Sequence, residues 1–149
     1  ATLPIVVIGF FGRGVVENYF RSPLVIAFST IIFGLFLWWA DYLGQKTRND
    51  STLSWKDVLF IGMLQTFALI PGVSRSGITI TAGLILGLER KSAARFSFLM
   101  SVPTIFLAGG YEGFTLLMSG GKVDWCSMLV VAMSSFFIAV LTIHYFMYF

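Results

Sequence analysis

The chain has 149 residues, 57% of them hydrophobic and only 11% charged, with a net charge of +3 and a mean hydropathy of +0.87. A composition this apolar excludes a water-soluble domain, which could not hide so much greasy surface. The small, scattered positive charge excludes a nucleic-acid partner and fits loops near anionic lipid, while a lone cysteine, Cys126, excludes a disulfide framework or a CxxC metal cluster.

Residues 1–12 are uncharged and read as the stump of a membrane span; the chain opens on Ala1 rather than Met, so it reads as a piece of a longer protein. Residues 22–43, 94–118 and 125–149 each supply the roughly 20 apolar residues that a helix needs to cross the hydrocarbon. The alternating pattern of a β-barrel is absent. The expectation is an all-α integral membrane protein forming a single membrane domain over 1–149. Trp38, Trp39, Trp55 and Trp125 lie near the predicted boundaries, as an aromatic belt would, and His144 sits in an aromatic run with no partner at metal spacing.

Residues 57–88 lie between two basic loops, one carrying Lys46, Arg48 and Lys56, the other Arg90, Lys91 and Arg95. If 57–88 crosses once, Arg13, Arg21, Arg90, Lys91 and Arg95 face Lys46, Arg48, Lys56 and Lys122, with no bias. If it enters and returns, both basic loops share the cytoplasmic side against Arg13, Arg21 and Lys122. Length agrees, since these 32 residues cannot make two full spans. The expectation is a re-entrant helical hairpin.

Its break is written in "LIPGVSRSGITI", residues 69–80. Pro71 ends a helical ladder and Gly72 opens the backbone, and non-helical backbone at that depth survives only beside protein or a polar cavity. Ser74 or Ser76 can cap the half-helix that follows, whose N-terminus attracts anions. Arg75 adds a planar fork of donors suited to phosphate, and Ser74, Ser76 and Thr79 add hydroxyls. Glu17, Asp41, Asp50, Asp57, Glu89, Glu112 and Asp124 all lie near loops, so the neutralising charge for Arg75 must come from a ligand or from elsewhere in a larger protein. Gln65 lies two turns upstream, either lining the same cavity or bonding between helices. Gly83 and Gly87, spaced as GxxxG, predict close helix packing, and Pro103 predicts a kink that frees the Leu99 carbonyl.

At "PGVSRSGIT" the sequence closely resembles the bacterial undecaprenyl pyrophosphate phosphatase (bacitracin-resistance) family, whose second motif is PGxSRSxxT, and the likeness extends through residues 61–103. The resemblance implies two inverted-topology repeats, each with a re-entrant hairpin, in the bacterial inner membrane. It implies hydrolysis of undecaprenyl diphosphate to the monophosphate that carries cell-wall precursors. Arg75 would bind the diphosphate, Ser74, Ser76 and Thr79 would line the pocket, and Gln65 matches a glutamine that stands where the first repeat has a glutamate. The family's first motif, with its glutamates, serine and histidine, is nowhere in these residues. By the resemblance, a divalent metal, Mg²⁺, would be held by the N-terminal repeat, and no metal ligand is expected among these 149 residues. The implied partners are the polyprenyl diphosphate lipid, the membrane and that repeat, with a homodimer left open. A broken-helix transporter half and a scaffold in which Arg75 only pairs with another helix are the competing readings.

Overall fold

The computed structural model describes residues 1–19, 22–44, 47–118 and 124–148. Arg21, Lys46, Lys122 and Phe149, and the side chains of Arg13, Glu17 and Asp50, lie outside the described residues. Among the described residues the chain is helical: α1 (Thr2–Tyr19), α2 (Pro23–Leu43), α3 (Trp55–Gln65), α4 (Arg75–Ile85), α5 (Arg90–Met118) and α6 (Trp125–Tyr148), with short 3₁₀ turns at Asp50–Thr52 and Thr66–Leu69. Contacts divide it into two compact units, Ala1–Ala108 and Gly109–Phe149.

Helices α2, α5 and α6 are long and apolar enough to cross a membrane, and at most 17% of each apolar stretch is buried inside the protein. Such bare helices are stable only where lipid covers them, and the protein is an all-α membrane protein. In the second unit every described side chain from Asp124 to Tyr145 is exposed. Asp124 caps α6 there, accepting from the Cys126 and Ser127 N–H groups and, at 2.6 Å, from the Ser127 hydroxyl; those bonds hold its carboxyl below the usual carboxylate range. Trp38, Trp39, Trp55 and Trp125 are exposed, as an interfacial belt requires.

In the first unit the segment between α2 and α5 starts and ends at one place. The Thr47 and Arg48 N–H groups donate to the Gly87 carbonyl at 3.1 and 3.0 Å, and the Glu89 N–H donates to the Arg48 carbonyl at 2.9 Å. The Arg48 side chain adds bonds to the Leu86 carbonyl (3.0 Å) and to Asp57 (2.7 Å). Arg90 grips Asp41 with two bonds of 2.7 and 2.6 Å, so the end of α2 and the start of α5 lie side by side. Asp57 also closes a capping box, accepting from the Ser54 N–H at 3.0 Å. That bond, with Arg48, holds its carboxyl below the usual range. The stabilisation is therefore present at neutral pH and is lost as acid protonates Asp57 below about pH 4.

Helices α2 and α4 run parallel. Ser29 lies beside the turn that precedes α4, and Ala40 packs against Leu84, Leu88 and Ala93 at the other end. Gly83 lets the start of α5 close on α4, since a Cβ there would come within 3.0 Å of the Ala93 Cβ. Gly87, its expected partner in a packing stripe, plays a different part. Helix α4 ends at Ile85, and Gly87 takes a left-handed φ of +82° in the turn beyond it. Measured along α2, Ser29 stands fourteen residues before Leu43, roughly 21 Å at 1.5 Å per residue. The turn therefore lies well back from the end of α2 at which the basic loops meet.

Candidate functional site

The turn before α4 is made by its own sequence. Val73 N–H donates to the Ile70 carbonyl at 3.1 Å, with Pro71 and Gly72 in the middle and a φ of +94° at Gly72. Proline second and a positive-φ glycine third is the type II pattern. Nothing but glycine fits, because an added Cβ would strain the backbone and meet the Ser29 hydroxyl, the Ile26 carbonyl and the Thr30 hydroxyl. Ser74 then adopts the extended conformation of an N-cap, and its hydroxyl accepts from the Gly77 N–H at 3.2 Å. Ser76 comes within 3.3 Å of the Ser74 hydroxyl, and both serines are exposed.

Arg75 turns inward between α3 and α5. Its Nη2 donates to the Met100 carbonyl (2.6 Å), the Thr104 hydroxyl (2.8 Å) and Gln65 Oε1 (3.2 Å). Thr104 in turn donates to the Met100 carbonyl at 2.9 Å. Every one of these acceptors is neutral, and neither Asp41 nor Asp57, held by Arg90 and Arg48, reaches the guanidinium. The Nε–H is buried and has no partner among the described residues. A buried donor left open on a full positive charge is costly, and an oxyanion placed along that edge would remove the cost.

Gln65 is fully buried, accepting from Arg75 and reaching Thr104 on α5 at 3.5 Å. Thr79 stands one turn behind the open face. Its hydroxyl bonds the Arg75 and Ser76 carbonyls at 3.1 and 3.0 Å and pairs with Ser97 at 2.7 Å, so it joins α4 to α5. Ser74, Arg75 and Ser76 thus share the tip and Thr79 supports it from within.

Met100, Thr104, Ser97, Ser29 and Thr30 escape a reading of the sequence. The available signal was Pro103. It marks α5 as a place with carbonyls to spare, and the neighbouring Met100 carbonyl is the one that Arg75 takes. Among the described residues no group of three or more His, Cys, Asp or Glu side chains could hold a metal ion.

The chain matches the family model described as bacitracin resistance protein BacA over residues 1–149. A protein named undecaprenyl-diphosphatase in Nitrosococcus oceani is 51% identical over 145 residues, covering 97% of this chain and 55% of the relative. Undecaprenyl-diphosphatase 2 of Stutzerimonas stutzeri is 50% identical over 149 residues, and the undecaprenyl-diphosphatase of Chromohalobacter salexigens 49% over 146; each match covers 98% of this chain and 55% of the relative. The chain spans about half the length of the curated relatives it matches. With the motif, the Pro-Gly turn before α4 and the match over every residue in agreement, the chain belongs to the bacitracin resistance protein BacA family.

Proposed function

We propose that this chain supplies the phosphate-binding half of a membrane site that hydrolyses undecaprenyl diphosphate to undecaprenyl phosphate and inorganic phosphate. The reading rests first on Arg75, a half-buried guanidinium held by neutral acceptors on one nitrogen, whose buried Nε–H is unpaired among the described residues. In it, Arg75 stabilises charge on the transferred phosphoryl oxygens. The N-terminus of α4 and the Ser74 and Ser76 hydroxyls add donors, and Thr79 keeps the tip in place. The names of the relatives support the substrate class.

The residues at the tip do not fit a divalent metal, for they offer a cation and hydroxyl donors without a carboxylate. A metal, nucleophile and base would come from the N-terminal repeat. The site would serve the recycling of the cell-wall lipid carrier in the bacterial inner membrane, and so bacitracin resistance.

The reading includes a re-entrant hairpin over 57–88, supported by the bonds that tie residues 47–48 to 86–89. Single cysteines at Asn49 and Lys91, both exposed, in a Cys126→Ser background should label from the same side of sealed vesicles; labelling from opposite sides would exclude the hairpin. Function is tested with the full product of the gene in proteoliposomes. Release of phosphate from undecaprenyl diphosphate is expected without movement of the lipid between leaflets. Movement without phosphate release would instead identify half of a transporter, the alternative that a broken helix pair also allows.

A further inference from the structure

Helix α2 carries two hydroxyls that reach across to the turn. Ser29 Oγ donates to the Pro71 carbonyl at 2.7 Å, and also lies 3.0 Å from the Ile26 carbonyl of its own helix. Thr30 Oγ1 divides its proton the other way, 2.7 Å from Ile26 O and 3.0 Å from the Gly72 carbonyl. Among the described residues neither turn carbonyl has another partner. Inside a membrane no water replaces a lost bond, so these two hydroxyls satisfy the two carbonyls that the type II turn turns outward. Gly72 has no Cβ because Ser29, Thr30 and Ile26 occupy that space.

The turn is short and stiff. Only Gly72 and Val73 separate Pro71 from the N-cap Ser74, and Arg75 follows at once. Whatever fixes the Pro71 and Gly72 carbonyls therefore fixes where α4 begins and where the guanidinium starts. The opposite end of Arg75 is held on α5 by Met100 and Thr104. We infer that Ser29 and Thr30 are positioning residues for the anion site: they set the register of the turn against α2, and they act on the reaction through Arg75 and its neighbours rather than by touching substrate. The inference deepens the proposed function and rests on it.

The test is a cycle on the full gene product, reading phosphate release from undecaprenyl diphosphate. Ser29→Ala with Thr30→Val removes both hydroxyls at nearly constant volume. Turnover should fall roughly 10–100-fold, the scale of a misplacement of about 1 Å in a preorganised site. In an Arg75→Ala background the same pair should cost far less, because the group it positions is gone. Ser29→Thr keeps the hydroxyl and should restore most of the activity. Ser29→Cys, a weak donor of similar size, should fall between and serves if the double variant does not fold. Full activity in the double variant would overturn the inference, as would an equal loss with and without Arg75. If Arg75→Ala alone is fully active, the proposed function fails first, so the two failures are told apart.

Discussion

Replacing Arg75 by alanine should lower phosphate release by the full gene product on the order of 10²–10³-fold, the loss typical of a donor aimed at developing charge. The surroundings make this a loss of chemistry more than of fold. No carboxylate depends on Arg75, so its removal strands no buried charge. Thr104 keeps its 2.9 Å bond to Met100, and only Gln65 Oε1 is left without its donor, a cost of about 1–3 kcal/mol. Arg75→Lys is the sharper comparison. Lysine keeps the charge but has no fork, so it cannot stay on Met100 and Thr104 while offering a second edge to phosphate. Its turnover should lie between wild type and alanine. Turnover of Arg75→Ala near wild type would remove Arg75 from the site.

Residues 1–149 purified by themselves should release no phosphate from undecaprenyl diphosphate. Phosphoryl transfer needs an activated nucleophile and a proton acceptor as well as donors to the phosphate. The tip offers two serines beside a cation with no base in contact: Ser74 bonds Gly77 N–H and Ser76. Supplying the N-terminal repeat of a relative as a separate polypeptide should restore metal-dependent release if the halves assemble. Hydrolysis by the 149 residues alone, abolished by Ser74→Ala or Ser76→Ala, would move the nucleophile into this chain.

The features legible in the sequence are those decided by neighbours in sequence. Pro71 and Gly72 specify the turn through φ, Ser74 caps α4 through its hydroxyl, and the apolar runs become α2, α5 and α6 through length alone. What was illegible depends on which helix lies beside which. Nothing about Ser29 in a run of apolar residues says that a carbonyl 42 positions away will need it. Thr104 likewise looks like any threonine on a span until α5 is laid against Arg75. Gly87 shows the reverse error. Its spacing from Gly83 fits a packing stripe, but the helix has already ended and the glycine serves a left-handed turn. The pairing of Thr79 with Ser97 on the helix opposite is another contact that spacing along α4 does not announce.

The bonds that close the hairpin also constrain the order in which the protein can be built. Ser29 waits for Pro71 and Thr30 for Gly72, each 42 residues later, and Arg48 waits for Leu86, 38 residues later. While α3 is being synthesised, only its bond to Arg48 and its packing on α1 can form; its holds on α4 cannot. The loop must be closed over a long stretch of chain before any of these contacts repays the lost freedom. Helix α2, with its two hydroxyls, is therefore complete before the turn that depends on it. The α3–α4 pair is closed only after residue 88 has been made. Arg75 waits longer still, for Met100 and Thr104 on α5, which are made 25 and 29 residues after it.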